Sequence, residues 1–167
     1  VDRLPDGAAY YALELRQNTT TDYTPEQVHA LGLSEAARIT HEMDQLLAAV
    51  GLTAGSVGER MAALGKDPRF LLPNDDAGRR QALERYQQIL DAVAARMPEY
   101  FRALPEKRLT VERVPASQEK GTSGAYYQQA AMDGSRPGIF FANLRDMSEV
   151  PTWSMKTLAY HEGIPGH

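Results

Sequence analysis

Residues 124–144 read GAYYQQAAMDGSRPGIFFANL. Two short runs, GAYYQQA (124–130) and GIFFANL (138–144), carry paired aromatic residues. Between their apolar cores lies MDGSRPG, rich in the residues that open a turn: Gly reaches positive φ at no steric cost, Pro fixes its own φ, and Asp bonds its neighbouring backbone. That pattern predicts an antiparallel β-hairpin. Just upstream, RLTVERVP (108–115) sets Leu109, Val111 and Arg113 against Thr110, Glu112 and Val114 in strict alternation, and predicts another strand.

Before these strands the chain reads as helix. Residues 5–17 form a first candidate, with Pro5 near its start. Thr24-Pro25-Glu26-Gln27 is a strong helix start, with Thr as N-cap and Pro at the first helical position. From there Val28, Leu31, Ala36, Ile39, Met43, Leu46, Leu47 and Val50 recur at spacings of three and four, the helical period. Gly32 predicts a kink, Ser34 and Glu35 the cap of a second segment, and Gly51 the end. A short helix is expected at 56–64, a loop over KDPRFLLPNDD, a long helix from 75 to 97 ended by Pro98, and one more turn over EYFRALP. After Pro151, TWSMKTLAYHE returns to helical character.

The expected fold is therefore mainly α with a small antiparallel β-sheet, an α+β order. Residues 1–104 make a helical region, 105–150 the sheet, and 151–167 the start of a further helix, together one incomplete domain. Val at position 1 and a chemically loaded stretch at the last residue make a piece of a longer polypeptide the expectation.

Composition excludes several functions. The net charge is −4 and Lys and Arg are interleaved with Asp and Glu, so no basic stripe is present for nucleic acid. No apolar run approaches the ~20 residues of a membrane span. Cys is absent, which removes disulfides and thiolate metal sites.

What remains is LAYHEGIPGH (158–167). In the common zinc arrangement two His lie four residues apart on one helical face, and the Glu beside the first acts on water at the metal. Here His167 follows His161 by six residues, which places it roughly one third of a turn off that face on a straight helix. A straight helix is itself disfavoured, because Gly163 and Gly166 cost about 1 kcal/mol each and Pro165 about 3. Two readings stay open. Either Gly163 caps an ordinary helix end and Pro165 stops it, leaving His167 in a loop, or a kink returns His167 toward His161. His41-Glu42, which has Gln45 at the fourth position, is an exposed polar pair, and His29 a surface or packing residue.

Several stretches together narrow this. NTTTDYTPEQVHALGLSEAARI, KDPRF, AYYQQAAMDGSRPGIFFANL and TLAYHEGIPGH resemble, in that order, the bacterial domain-of-unknown-function family eight-eight-five, through His-Glu-x-x-Pro-Gly-His above all. The resemblance spans nearly the whole chain. It implies a helical, zincin-like protein, similar to the Glu-ligand zinc metallopeptidases, and often exported or a lipoprotein of the bacterial cell envelope. By the same resemblance His161 matches the first zinc ligand, Glu162 the general base and His167 the motif's second His. The family continues with another His and an acidic ligand further on, so either His167 or that neighbour holds the metal.

The implied function is a zinc-dependent metallopeptidase-like hydrolase that cleaves peptide bonds. The cofactor is zinc, and the partners are a peptide substrate and the remainder of the same polypeptide; this stretch is expected to be inactive in isolation. The alternative is a non-catalytic helical binding module or envelope lipoprotein. Peptidases of this type bind substrate as an added antiparallel strand, a role the resemblance suggests for GIFFANL. Asn143 would then hold a substrate amide, or else end a strand in a polar turn. Tyr126 and Tyr127 alternate to opposite faces, so at most one, taken as Tyr127, faces the cleft.

Overall fold

The structure, a computed structural model, describes residues 3–104 and 107–167. They form two compact units, Val1–Met61 and Ala62–His167.

The first unit is helical. Helix α1 spans Gly7–Thr19 and α2 spans Pro25–Ala49. The predicted start of α2 is a full capping box: the Gln27 N–H donates to Thr24 Oγ1 at 3.3 Å, and the Thr24 N–H donates to Gln27 Oε1 at 2.8 Å. The second segment expected to start after Gly32 does not form, and α2 runs through Gly32 as one helix. One glycine costs a helix about 1 kcal/mol, too little to divide so long a run. Ser34 accordingly bonds back to Leu31 O at 2.8 Å instead of capping a new segment. His41, Glu42 and His29 are exposed, as expected. The buried Arg60, in α3 (Val57–Gly65), pairs with Asp44 and donates to Leu52 O at 3.0 Å, which ties the turn after α2 to its own helix.

The second unit carries the sheet. Helix α4, Asp76–Ala94, is capped by Asp75, whose carboxylate accepts the Gly78 N–H at 2.8 Å. It ends three residues before the predicted limit, and a short 3₁₀ turn, Met97–Glu99, takes the Pro98 region. Phe101 N–H then bonds Met97 O at 2.9 Å; the end of the expected turn, at Pro105, lies outside the described residues. The loop read into KDPRFLLPNDD contains one 3₁₀ turn, Pro68–Phe70.

Strands β1 (Thr110–Arg113), β2 (Ala125–Gln128) and β3 (Ile139–Ala142) pair in the order β1-β3-β2. The predicted hairpin is present, with β2 antiparallel to β3 and Ala125 opposite Ala142. The sheet as a whole differs from expectation, because β1 runs parallel to β3, with Thr110 opposite Ile139. Alternation along a strand reports which face is buried and carries no information about the direction of its partner. One consequence is functional. The strand in GIFFANL is central, paired on both sides, and cannot accept an added strand.

Only β1 and β2 have an outer edge. That of β1 is occupied: Gln87 of α4 donates to Leu109 O at 3.2 Å and accepts the Val111 N–H at 3.2 Å. Along β2, the Asn143 N–H bonds Gly124 O at 2.9 Å. This phase turns the backbone groups of Tyr126 toward β3 and those of Tyr127 outward.

The core lies on one face of this sheet. Phe140 is fully buried and meets Tyr86 of α4 edge to face, with ring centroids 5.0 Å apart. Leu90, Leu144, Met147 and Met155 complete it. On the opposite face Tyr126 stacks on Phe141 at 4.9 Å. Outside the core, the Arg108 guanidinium beside Asp91 of α4 holds that carboxyl below its ordinary range.

Candidate metal-binding turn

Helix α5, Met155–Glu162, ends where sequence places its stop. Gly163 caps it, its N–H bonded to Ala159 O at 2.9 Å. Beyond that the chain turns back. The Ile164–Pro165 peptide is cis, the Gly166 N–H donates to Tyr160 O at 2.9 Å, and the His167 N–H donates to His161 O at 3.0 Å. The physical logic is plain. Pro165 has no N–H and cannot satisfy the carbonyl of His161 four residues earlier. That carbonyl is bonded by His167 instead, and the last turn of the helix is closed by the returning strand rather than by more helix.

Both glycines are sterically required. A Cβ on Gly166 would stand 2.0 Å from His161 O and 2.4 Å from Tyr160 O. One on Gly163 would stand 2.4 Å from Leu90 Cδ2. The two readings of the sequence are thus both realised: the helix stops, and His167 still returns.

The return sets the His167 ring at 90° to that of His161, with centroids 5.0 Å apart. Ligand atoms of His161, Glu162 and His167 all lie within 4.8 Å of one another. Both imidazoles are exposed, whereas Glu162 is only 8% exposed. Among the described residues Glu162 has no hydrogen-bond or ion-pair partner. Its carboxylate is thus left without a protein partner beside the two imidazoles.

Comparison with known proteins agrees with the fold just described. The family described as "Bacterial protein of unknown function (DUF885)" matches residues 1–167. The chain belongs to this family. A solved structure, described as that of the putative lipoprotein from Colwellia psychrerythraea, is 42% identical and superposes with a TM-score of 0.91. The match covers 98% of this chain and 28% of that one, so the DUF885 chain spans little more than a quarter of that protein's length. No curated protein matches it.

Two further side chains named from sequence fall in different places in this DUF885 chain. Tyr127 lies beside the turn, its ring parallel to that of His167 within 12° at 6.4 Å. A Cβ on Gly138 would stand 2.5 Å from the Tyr127 hydroxyl, so the missing side chain there is what admits the ring. Tyr126 is on the other face, as alternation requires. The Asn143 amide is engaged by the chain itself. Its Nδ2 donates to the carbonyls of Glu119 (2.8 Å), Thr122 (3.0 Å) and Ser123 (3.3 Å), and its Oδ1 accepts the Arg145 N–H at 3.2 Å. It clamps the 119–124 loop. Sequence reading missed Gln87, which closes the edge of β1; a glutamine amid helical polar residues carries no signal for that. The Pro-Gly of the motif did signal Gly166.

Proposed function

We propose that the turn ending α5 is part of a zinc-dependent centre that hydrolyses peptide bonds, with His161 and His167 as metal ligands and Glu162 as general base. The observation that carries this is the convergence of three ligand atoms within 4.8 Å across a six-residue spacing that a straight helix would splay apart. The donor set fits the ion. Two imidazoles suit zinc as ligands, and the Glu162 carboxylate, without a protein partner among the described residues, is left beside them to act on water. Both imidazoles are exposed and would be the groups to hold the ion.

Zinc held there would supply Lewis acidity toward a scissile carbonyl and toward water. The chain's own groups do the rest. A Glu162 carboxylate oxygen takes a proton from water and returns it to the leaving amine. At the outer edge of β2 the Ala125 carbonyl accepts from Ser123 Oγ at 3.0 Å, while the outward backbone groups of Tyr127 have no partner among the described residues and are suited to pair with an extended peptide. This reading moves the substrate strand from β3 to β2 and assigns Tyr127 its place through backbone groups; Asn143 acts only by holding the loop behind it.

A second reading, an envelope lipoprotein that binds without catalysis, is favoured by the description of the Colwellia relative as a lipoprotein. No described helix is long and apolar enough to cross a membrane. Likeness to that relative supports a bacterial envelope location. The Glu162→Gln variant separates them, assayed in a protein of the relative's full length. It should retain zinc and lose at least about 100-fold in peptide turnover, the size expected of general-base loss. Undiminished turnover would remove Glu162 from the chemistry, and absence of any turnover in the parent would favour the binding module.

A further inference from the structure

A second recess in the same unit has no part in the proposed hydrolysis. It is a cavity of about 140 Å³ bounded by the 119–124 loop, the end of β3 and the first half of α5. Tyr86 of α4 lines it. That side chain is 1% exposed, yet its hydroxyl has no hydrogen-bond partner among the described residues. Burial pushes the phenol up to about 12, so it keeps its proton and acts as a donor. With no protein acceptor among the described residues, that donor is met by whatever fills the cavity it lines.

The charges around the cavity point to what that acceptor belongs to. Lys120 lines it and has no ion-pair partner among the described residues; Arg145 lines it with its nearest carboxylate, Glu149, at 4.0 Å. The buried Glu119 is already neutralised by Arg113 at 2.6 Å. Ser154, the N-cap of α5, also lines the cavity and makes no capping bond, which leaves the positive end of that helix without a side-chain acceptor. Val150 and Leu158 supply an apolar wall. An engineered cavity of about 150 Å³ holds benzene, six heavy atoms. The space therefore suits one carboxylate with a very small apolar group.

We infer that this cavity binds the α-carboxylate of a small amino-acid residue, of about the size of alanine, through the Tyr86 hydroxyl and the Lys120 ammonium. The carboxylate belongs either to a free amino acid or to the C-terminus of a short peptide. The inference does not rest on the metal or on the hydrolase reading, and neither enters its test.

The test is a titration of the metal-free chain followed by amide chemical shifts. Alanine, Gly-Ala and alaninamide serve as probes, each to about 10 mM against a Kd of about 1 mM expected for so few atoms. Alanine or Gly-Ala should shift residues of the 119–124 loop, and alaninamide, which lacks the carboxylate, should not. Saturation by alanine alone identifies a free amino acid, and saturation by Gly-Ala a peptide terminus. Tyr86→Phe and the exposed Lys120→Gln should each weaken binding about tenfold or more. The inference is overturned if neither carboxylate probe binds, if alaninamide binds equally, or if both variants bind as the parent does.

Discussion

The two units of this DUF885 chain keep their helices by different means. In the second, Tyr86, Leu90, Phe140, Leu144, Met147 and Met155 are all essentially removed from water, and the exposed large apolar residues sit in connections, such as Tyr100, Met132 and Trp153. In the first, Tyr10, Leu13, Leu31, Leu33, Ile39, Leu46 and Val50 remain 46–71% exposed, and Leu47 is the large apolar side chain that is buried. What fixes α2 and α3 is local: the Thr24–Gln27 box, the reciprocal Ser56–Glu59 cap, and Arg60 on Asp44 and Leu52 O. The amphipathic period of α2 is real in both cases. Period alone tells which face is apolar; a core exists only where another apolar surface meets it.

The sharpest way to break this contrast is a pair of truncations. Phe140→Ala should cost about 3–5 kcal/mol in urea unfolding, as a cavity in a packed core does. Ile39→Ala, on a half-exposed helix face, should fall within about 0.5 kcal/mol of the parent. Equal losses would mean that the two units are packed alike. Next in size, Gly166→Ala forces a Cβ into the carbonyls of Tyr160 and His161. Zinc affinity should drop about tenfold or more while the unfolding midpoint moves far less than in Phe140→Ala, since the residue lies outside the core. A matching loss of stability with affinity intact would reverse the roles assigned to turn and core. Smallest, Thr24→Ala removes the cap of α2 and should cost about 1 kcal/mol, visible as faster amide exchange in the first turn of that helix. Unchanged exchange there would show that the box is incidental.

These differences also govern what was legible in the sequence. Helix starts were, because Thr24, Asp75 and Ser56 act on backbone groups within three residues of themselves. The hairpin was too, since its turn residues and its two aromatic runs are contiguous. The parallel pairing of β1 was not, because its partner lies beyond β2 and nothing in TVER encodes direction. Gly32 was over-read, since a propensity penalty breaks a helix only where nothing else continues it. In the candidate site His161 and Glu162 could be named from their neighbours, and the Pro-Gly announced a departure from helix. The direction of that departure depends on which carbonyls Gly166 and His167 N–H groups find, and on Leu90 and Leu109 closing around Gly163. Tyr86 could be placed on the core face of α4, but its unpartnered hydroxyl is a property of the surrounding loop.

The central claim is that the backbone return after Glu162 turns a broken helix into half of a metal site. Competition titration of a protein of the Colwellia relative's full length with zinc and a chromophoric chelator tests it most directly. The account predicts one zinc per chain, with His161→Ala and His167→Ala each weakening it at least as much as the 10–100-fold typical of outer-shell partners. No stoichiometric zinc, or binding indifferent to His167, would contradict it.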